Sequence, residues 1–263
     1  MILDLHTHTR NSHDGFTKPQ ELLDACIARG IDAVAVTEHD LPCVLDPAPF
    51  ADQGIELIPG CEFTDTNGAH IIGLFVRKGL PPRLRAEAIL DHIHTEGDLV
   101  VMPHPWKQGS GFMSTGGDVR LVARFDFIEF INGGWRSATH AAEIVRLASE
   151  HNIRMISSSD SHKASQVGLC CSRIMSAKKS AGARAALDGA RQEDIEMLID
   201  HRMLVKHGRR SNFIQRSTPY QAILPLIPTG MRRIFKLALY SAGSERYASP
   251  PNFECLKPGS SSW

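Results

Sequence analysis

Residues 1–8 read Met-Ile-Leu-Asp-Leu-His-Thr-His, and residues 31–40 read Ile-Asp-Ala-Val-Ala-Val-Thr-Glu-His-Asp. Each is a short apolar run that stops abruptly in histidine and carboxylate. Between them, Thr17-x-x-Gln20 has the form of a capping box with Pro19 in the first turn, and residues 21–29 carry a helical apolar pattern. Gly30 suits the left-handed residue that closes such a helix. The stretch is therefore a strand–helix–strand unit. Its strands are apolar throughout, as they are when both faces are buried in a parallel sheet.

The alternation continues outward from this unit. Residues 55–58, 71–75, 99–102, 127–131 and 153–157 read as strands, and residues 83–96, 118–124 and 137–151 as helices. Cys170-Cys171 falls in a further strand. Strands alternating with helices predict a mainly parallel sheet, open or closed into a barrel. No internal repeat is visible. The pattern stops near residue 200, which divides the chain into an α/β body, 1–200, and an extension, 201–263, partly helical and frayed at its end.

Composition fits this division. The chain has 263 residues, 42% of them hydrophobic and 22% charged, an ordinary globular balance with a formal net charge of zero. The charge is uneven, however. Residues 201–263 hold ten Lys/Arg against two Asp/Glu, which leaves 19 against 27 and a net of −8 for residues 1–200. Met231, Ile234, Phe235 and Ala238 share one helical face, with Arg232, Arg233 and Lys236 elsewhere. Such a basic amphipathic helix suits packing on the barrel, and is also compatible with nucleic acid, an acidic partner or a membrane surface. No apolar run is long enough to span a bilayer, and the N-terminus runs straight into a strand without a leader-like segment. Six cysteines without C-x-x-C spacing are expected to be reduced thiols of a cytoplasmic protein.

The chemistry lies where the strands end. Asp4, His6 and His8 alternate at the end of the first, and period-two geometry predicts that they share a face. Glu38-His39-Asp40 ends the second. Glu62 follows the third, His70 opens the fourth, His104-Pro105 ends the fifth, and Ser159-Asp160-Ser161-His162 ends the last. Six of the thirteen histidines, with Asp14, Glu62 and Asp160, would then meet at one rim, where α/β barrels carry their active sites. Mixed nitrogen and oxygen donors suit zinc, manganese or iron(II) better than calcium.

In this order and spacing, Asp4-Leu-His6-Thr-His8, Asp14-Gly15, Thr37-Glu38-His39-Asp40, Pro59-Gly60-x-Glu62, His104-Pro105 and Ser159-Asp160-Ser161-His162 resemble the motifs of the PHP (polymerase and histidinol phosphatase) family. The segment Phe127-Ile-Glu-Phe-Ile-Asn132-Gly133 resembles a strand and turn of the same family. The resemblance implies a distorted (β/α)7 barrel with two or three divalent ions at its rim. It implies one ion held by His6, His8, Glu62 and Asp160, a second by Glu62, His70 and His104, and a third by Asp14, His39 and His162. Asp14 is preferred to its neighbour His13. Asp4, Thr37 and Asp40 are expected to orient the imidazoles, and Lys107 and Arg136 to contact phosphate. Glu38 stands where the family more often has aspartate. Some relatives insert a helical lid between the glutamate and the His-Pro motif; only 41 residues separate Glu62 from His104 here, too few for a large one.

The activity implied is hydrolysis of a phosphate monoester of a small metabolite or nucleotide by metal-activated hydroxide, with Glu62, Asp160 and His162 in catalytic roles. The alternatives are a phosphodiesterase or nuclease guided by the basic extension, and a non-catalytic metal-binding scaffold.

Overall fold

A computed structural model describes residues 1–134, 140–200 and 254–256. The first unit is β1 (Ile2–Thr7), α1 (Pro19–Arg29) and β2 (Ala33–Val36). Gly30 closes α1 at φ 64°, a conformation that glycine adopts without steric cost. The cap lies one residue later than the sequence suggests: the Glu21 carboxylate accepts from the Lys18 main-chain N–H at 3.0 Å. Leu22, Leu23 and Cys26 of α1 are buried against Val34 and Val36, fixing the helix on the outside of the sheet.

The chain continues through α2 (Ala48–Ala51), β3 (Glu56–Thr64), β4 (His70–Leu74), α3 (Ala86–Thr95), β5 (Leu99–Met102) and β6 (Phe127–Asn132). It then forms α4 (Ala141–His151), β7 (Arg154–Ser158), β8 (Cys170–Ile174), α5 (Gly182–Gly189), β9 (Ile195–Ile199) and β10 (Glu254–Leu256). Strand order is β10-β9-β8-β1-β2-β3-β4-β5-β6-β7. The two ends of β1–β7 meet through a bridge between Thr7 and Ser161 and a Ser159 N–H donated to Asp4 at 3.0 Å. Ser157 adds hydrogen bonds to Ser172 and to the Cys171 carbonyl. The result is a distorted, nearly closed α/β barrel. Alternate residues of successive strands, among them Leu3, Leu5, Ala33, Ala35, Ile58, Ile72, Leu74, Val101, Phe127 and Ile156, fill its interior as one apolar cluster.

Several details differ from the sequence reading. β4 is antiparallel to both β3 and β5, because the connection after β3 is a tight turn and not a helix. There Asp65 accepts from the N–H groups of Asn67 and Ala69 at 2.7 and 2.8 Å. β8 also runs antiparallel to β1. Residues 119–124 form a 3₁₀ helix, capped by the Asp118 side chain. α5 and β9 carry no strong pattern and were not foreseen. Of the extension, only the strand Glu254–Leu256 is described, paired antiparallel with β9. The amphipathic helix expected around 231–238 and the frayed end at 259–263 lie outside the described residues, as do Trp135 and Arg136. Among the described residues no helix is long and apolar enough to cross a membrane.

Candidate metal centre

β1, β2, β3, β5, β6 and β7 run in one direction, so their carboxyl ends open on one rim. That rim receives His6 from β1 and His8 just after it, His39 from the loop after β2, Glu62 from β3, His104 after β5, and Asp160 and His162 after β7. His70 joins them for the opposite reason. It begins a strand that runs the other way, level with Thr64 near the end of β3. Asp14 comes from the loop after β1, where Gly15 is packed so closely on Thr9 that a Cβ would sit 1.8 Å from its carbonyl oxygen. No other residue fits there.

His6 Nε2 and His8 Nε2 lie 3.0 Å apart, fully buried. Glu62 Oε2 is 3.4 Å from each. Asp160 Oδ1 is 3.4 Å from His6 Nε2 and 3.5 Å from His8 Nε2. On the other side of the same carboxylate, Glu62 Oε1 is 2.8 Å from His70 Nδ1 and 3.2 Å from His104 Nε2. Asp14 lies 3.5 Å from His39 Nε2 and 3.1 Å from His162 Nε2. His39 also presents Nδ1 to Glu62 at 3.1 Å, so it links the last group to the first. His13, 74% exposed, reaches Asp14 only at 4.0 Å. All nine expected residues therefore stand in one cluster, and the ring of His13 is tilted against that of His39, 4.9 Å between centroids.

Hydrogen positions follow from the partners behind these rings. His6 Nδ1 is 2.9 Å from Glu129 Oε1, and a carboxylate there can only accept. His162 Nδ1 is 2.9 Å from the Asp160 carbonyl oxygen, another acceptor. Both rings thus keep a hydrogen on Nδ1, which leaves Nε2 as the atom turned toward the cluster. Glu62 Oε2, Asp14 Oδ1 and His104 Nδ1 are buried with no hydrogen bond. Such unbalanced acceptors, packed nitrogen to oxygen, form a donor set that fits divalent cations.

The electrostatics agree. Burial alone would push Glu62 up, but His70, His6 and His39 hold it well below the ordinary glutamate range. Burial likewise opposes ionisation of Asp160, and Lys107 and His6 overcome it. Asp14 is lowered despite burial by His162 and His39. Among the imidazoles, burial, His162 and His39 push His8 down to about 3. Burial also works against a charge on His39, yet Glu62 and Asp14 raise it to about 9. The carboxylates stay charged and demand positive charge between them.

The orienting groups are not those expected. Asp4 accepts from the N–H groups of Ser159 and Gly168 at 3.0 and 2.7 Å, because the pairing of β1 shifts between Asp4 and Thr7 and takes Asp4 out of line with His6. Burial raises its carboxyl to about 6 against those two hydrogen bonds. Asp40 caps Thr64 N, and Thr37 donates to the Thr7 carbonyl. None of the three touches an imidazole. Glu129, at the middle of β6, does so instead. It accepts from His6 Nδ1, from His104 N at 2.8 Å and from Asn132 Nδ2 at 2.7 Å. Its sequence signature was a lone charge inside Phe127-Ile-Glu-Phe-Ile131.

His104 and Asp160 hold left-handed backbones, φ 28° and 48°. Conformations of this kind cost on the order of 1–3 kcal/mol and persist where surrounding contacts dictate them. Lys107 Nζ is 3.2 Å from Asp160 Oδ2; burial lowers its pKa less than Asp160 and Glu62 raise it. Cys61 is buried, and burial pushes its thiol up, away from nucleophilic use. Trp106 stacks on His140, 5.5 Å between centroids, and packs against the core.

A distorted α/β barrel with imidazoles and carboxylates converged on the carboxyl rim has the build of a metal-dependent phosphoesterase, a hydrolase of phosphate ester bonds. The chain belongs to the PHP domain family, whose family model matches residues 4–238. It is 39% identical over 83 residues to a 5'-3' exoribonuclease of Haemophilus influenzae, a match covering 30% of each chain. It is 33% identical over 88 residues to a phosphoribosyl 1,2-cyclic phosphate 1,2-diphosphodiesterase of Eggerthella lenta, covering 31% of this chain and 33% of that one. The chain thus spans about a third of the length of these two relatives. Among solved structures, a two-domain protein of Bacteroides vulgatus containing a predicted PHP-like metal-dependent phosphoesterase superposes with a TM-score of 0.59 at 22% identity. That match covers 75% of this chain and 64% of the other.

Proposed function

We propose that the chain hydrolyses a phosphate monoester of a small metabolite or nucleotide, using two or three divalent cations held by His6, His8, Asp14, His39, Glu62, His70, His104, Asp160 and His162. One observation carries the metal reading. Ligands about 2.1 Å from a tetrahedral ion stand roughly 3.4 Å from one another, and five of the six edges of the His6, His8, Glu62, Asp160 set measure 3.0 to 3.5 Å. At that separation the two nitrogens either share one hydrogen or both face a cation. Zinc, manganese and iron(II) suit the donors.

Such cations, when bound, supply Lewis-acid activation of water and neutralise charge on phosphoryl oxygens. The chain's own groups do the rest. Glu62 spans two ligand sets through its two oxygens, which fixes their spacing. His162, on the loop after β7 and a quarter exposed, stands at the open side of the cluster with its Nδ1 hydrogen given to the Asp160 carbonyl. Asp160 ties the first ligand set to Lys107, whose side chain is a third exposed and within reach of a phosphoryl oxygen entering the rim. Arg136, the other expected phosphate contact, lies outside the described residues.

A phosphodiester or an RNA end is the second reading, and two observations favour it. Two relatives are named for cleaving phosphodiesters, one of them RNA. The stretch 201–253, basic from Arg202 to Lys236, falls in the sequence between β9 and β10.

The test is a phosphate-release and oligonucleotide-cleavage screen with manganese, zinc or iron(II), run beside metal analysis. Exchanging both His6 and His8 for alanine is expected to abolish bound metal and turnover together; turnover retained without metal refutes the proposal. Cleavage of short oligonucleotides but not of monoesters, falling steeply with salt, selects the second reading. If Lys107→Ala leaves KM and kcat unchanged on a monoester, its phosphate contact is wrong.

A further inference from the structure

The sequence singled out Glu38 as a departure from its family, and the structure gives that carboxylate a task away from the ligand cluster. Glu38 is fully buried at the end of β2. It accepts from Thr9 N at 3.1 and 3.2 Å, from the Thr9 hydroxyl, and from Ser12 Oγ at 2.5 Å. All of these partners belong to the loop that leads to Asp14.

Ser12 is buried as well, and its hydroxyl has three neighbours to reconcile with a single hydrogen. A carboxylate surrounded by donors can only accept, so that hydrogen points at Glu38. The Ser12 oxygen is left with lone pairs alone. One receives the His39 main-chain N–H at 3.1 Å, which is always a donor. The other faces His8 Nδ1 at 3.1 Å. His8 Nδ1 must then carry the ring hydrogen, and His8 Nε2 must be bare where it meets His6, Glu62 and Asp160.

We propose that Ser12, oriented by Glu38, is a positioning residue that commits His8 to the tautomer able to bind a cation through Nε2. The same hydroxyl ties the Asp14 loop to the main chain of His39, so two of the three ligand sets are placed by one small contact. This inference rests on the metal reading given above. Its logic parallels that of Glu129 behind His6, with one difference. Glu129 acts on its ring directly, whereas Glu38 acts through a hydroxyl whose single proton fixes the direction of the relay. Without that hydroxyl, His8 is free to place its hydrogen on Nε2, in the middle of the ligand set.

The test begins on the unaltered, metal-free chain, with nitrogen-15 spectra of its histidines assigned by the His8→Asn spectrum. The expected result is hydrogen on His8 Nδ1; hydrogen on Nε2 overturns the proposal with no variant needed. Titration of zinc or manganese then compares wild type with S12A and S12T. Ser12→Ala should weaken cation binding by on the order of 10- to 100-fold, the usual loss when a group behind a ligand is removed, and shift the His8 spectrum toward the other tautomer. Ser12→Thr keeps the hydroxyl and should restore both. Equal affinity and an unchanged His8 spectrum in a folded S12A protein overturn the role of Ser12 while leaving the metal site standing. Wild-type protein that takes up no cation overturns the metal reading itself, and the Ser12 role with it.

Discussion

At the end of the barrel where the strands begin, two aspartates are used alike. Asp32, just before β2, accepts from Ile2 N at 2.9 Å and donates its own N–H to the Ile2 carbonyl at 2.8 Å. Asp126, just before β6, does the same to Val100, at 2.8 and 2.9 Å. Each clamps the start of one strand to its parallel neighbour, and neither leaves a buried carboxylate oxygen without a hydrogen bond. At the opposite rim Glu62 meets five imidazoles, and one of its oxygens has no hydrogen bond at all. The same chemical group thus serves pairing at one end and remains unbalanced at the other. Donors that match a carboxylate indicate a structural role; acceptors crowded round it indicate a site that takes up charge.

The largest effect that tests this contrast belongs to Glu62→Gln. The amide keeps the shape but removes the charge that two ligand sets share. Cation uptake should be lost, and phosphoester hydrolysis should fall by at least about 10³-fold. Stability of the metal-free protein should fall somewhat, because the imidazoles that hold the Glu62 carboxyl well below its ordinary range lose the anion they face. A drop of several kcal/mol in urea unfolding, with metal binding retained, would make Glu62 a structural residue and erase the contrast.

Glu129→Gln sharpens the comparison, since Glu129 belongs to both worlds. Its oxygens are matched by donors, as at the lower end, yet one of those donors is a ligand ring. An amide NH₂ would confront either His104 N or the His6 ring hydrogen. Two losses are expected together: roughly 10- to 100-fold in cation affinity and about 1–3 kcal/mol of stability from a buried unmatched donor. Calorimetric metal titration and urea unfolding of the same samples measure both. Loss of only one would place Glu129 wholly at one end of the contrast.

How much of this was legible in the sequence follows the same division. Strands that carry ligands announce themselves, because histidine and carboxylate at the end of an apolar run have few other uses. Thus β1, β2, β5 and β7 were placed together with the residues they present. The direction of β4 was not legible from its apolar run alone; it depends on the turn Asp65-Thr-Asn-Gly68, which replaces a helix. The groups behind the ligands were harder still. Asp4 looked like a partner for His6, but the register shift in β1 sends it to Ser159 and Gly168. Glu129 is distant in sequence from the rings it serves, and Ser12 is an ordinary serine in a loop. Hydrogen-bond partners of that kind depend on where strands meet across the barrel, which alternation of polarity does not encode.

The smallest effect lies at the lower end, and it completes the contrast. Asp32 also faces Lys179 Nζ at 2.9 Å. Burial opposes its charge, but Lys179 and the Ile2 N–H outweigh it and lower its pKa from the usual 3.8. A carboxyl whose folded value lies below its unfolded one stabilises fully above the unfolded value, and that contribution is lost as pH falls through the folded value. Because the pair is partly open to water, Asp32→Ala should cost only about 1 kcal/mol at neutral pH. The gap from wild type should close progressively below about pH 4 as the wild-type carboxyl itself protonates. Cation affinity and turnover should be untouched, since Asp32 lies at the far end of the strands from every ligand. Urea unfolding at neutral and acid pH, with metal titration at neutral pH, measures these together. A gap that persists in acid would mean that Asp32 supports the β1–β2 start by packing rather than charge, and a change in metal binding would mean that the two ends of the barrel are coupled through β1.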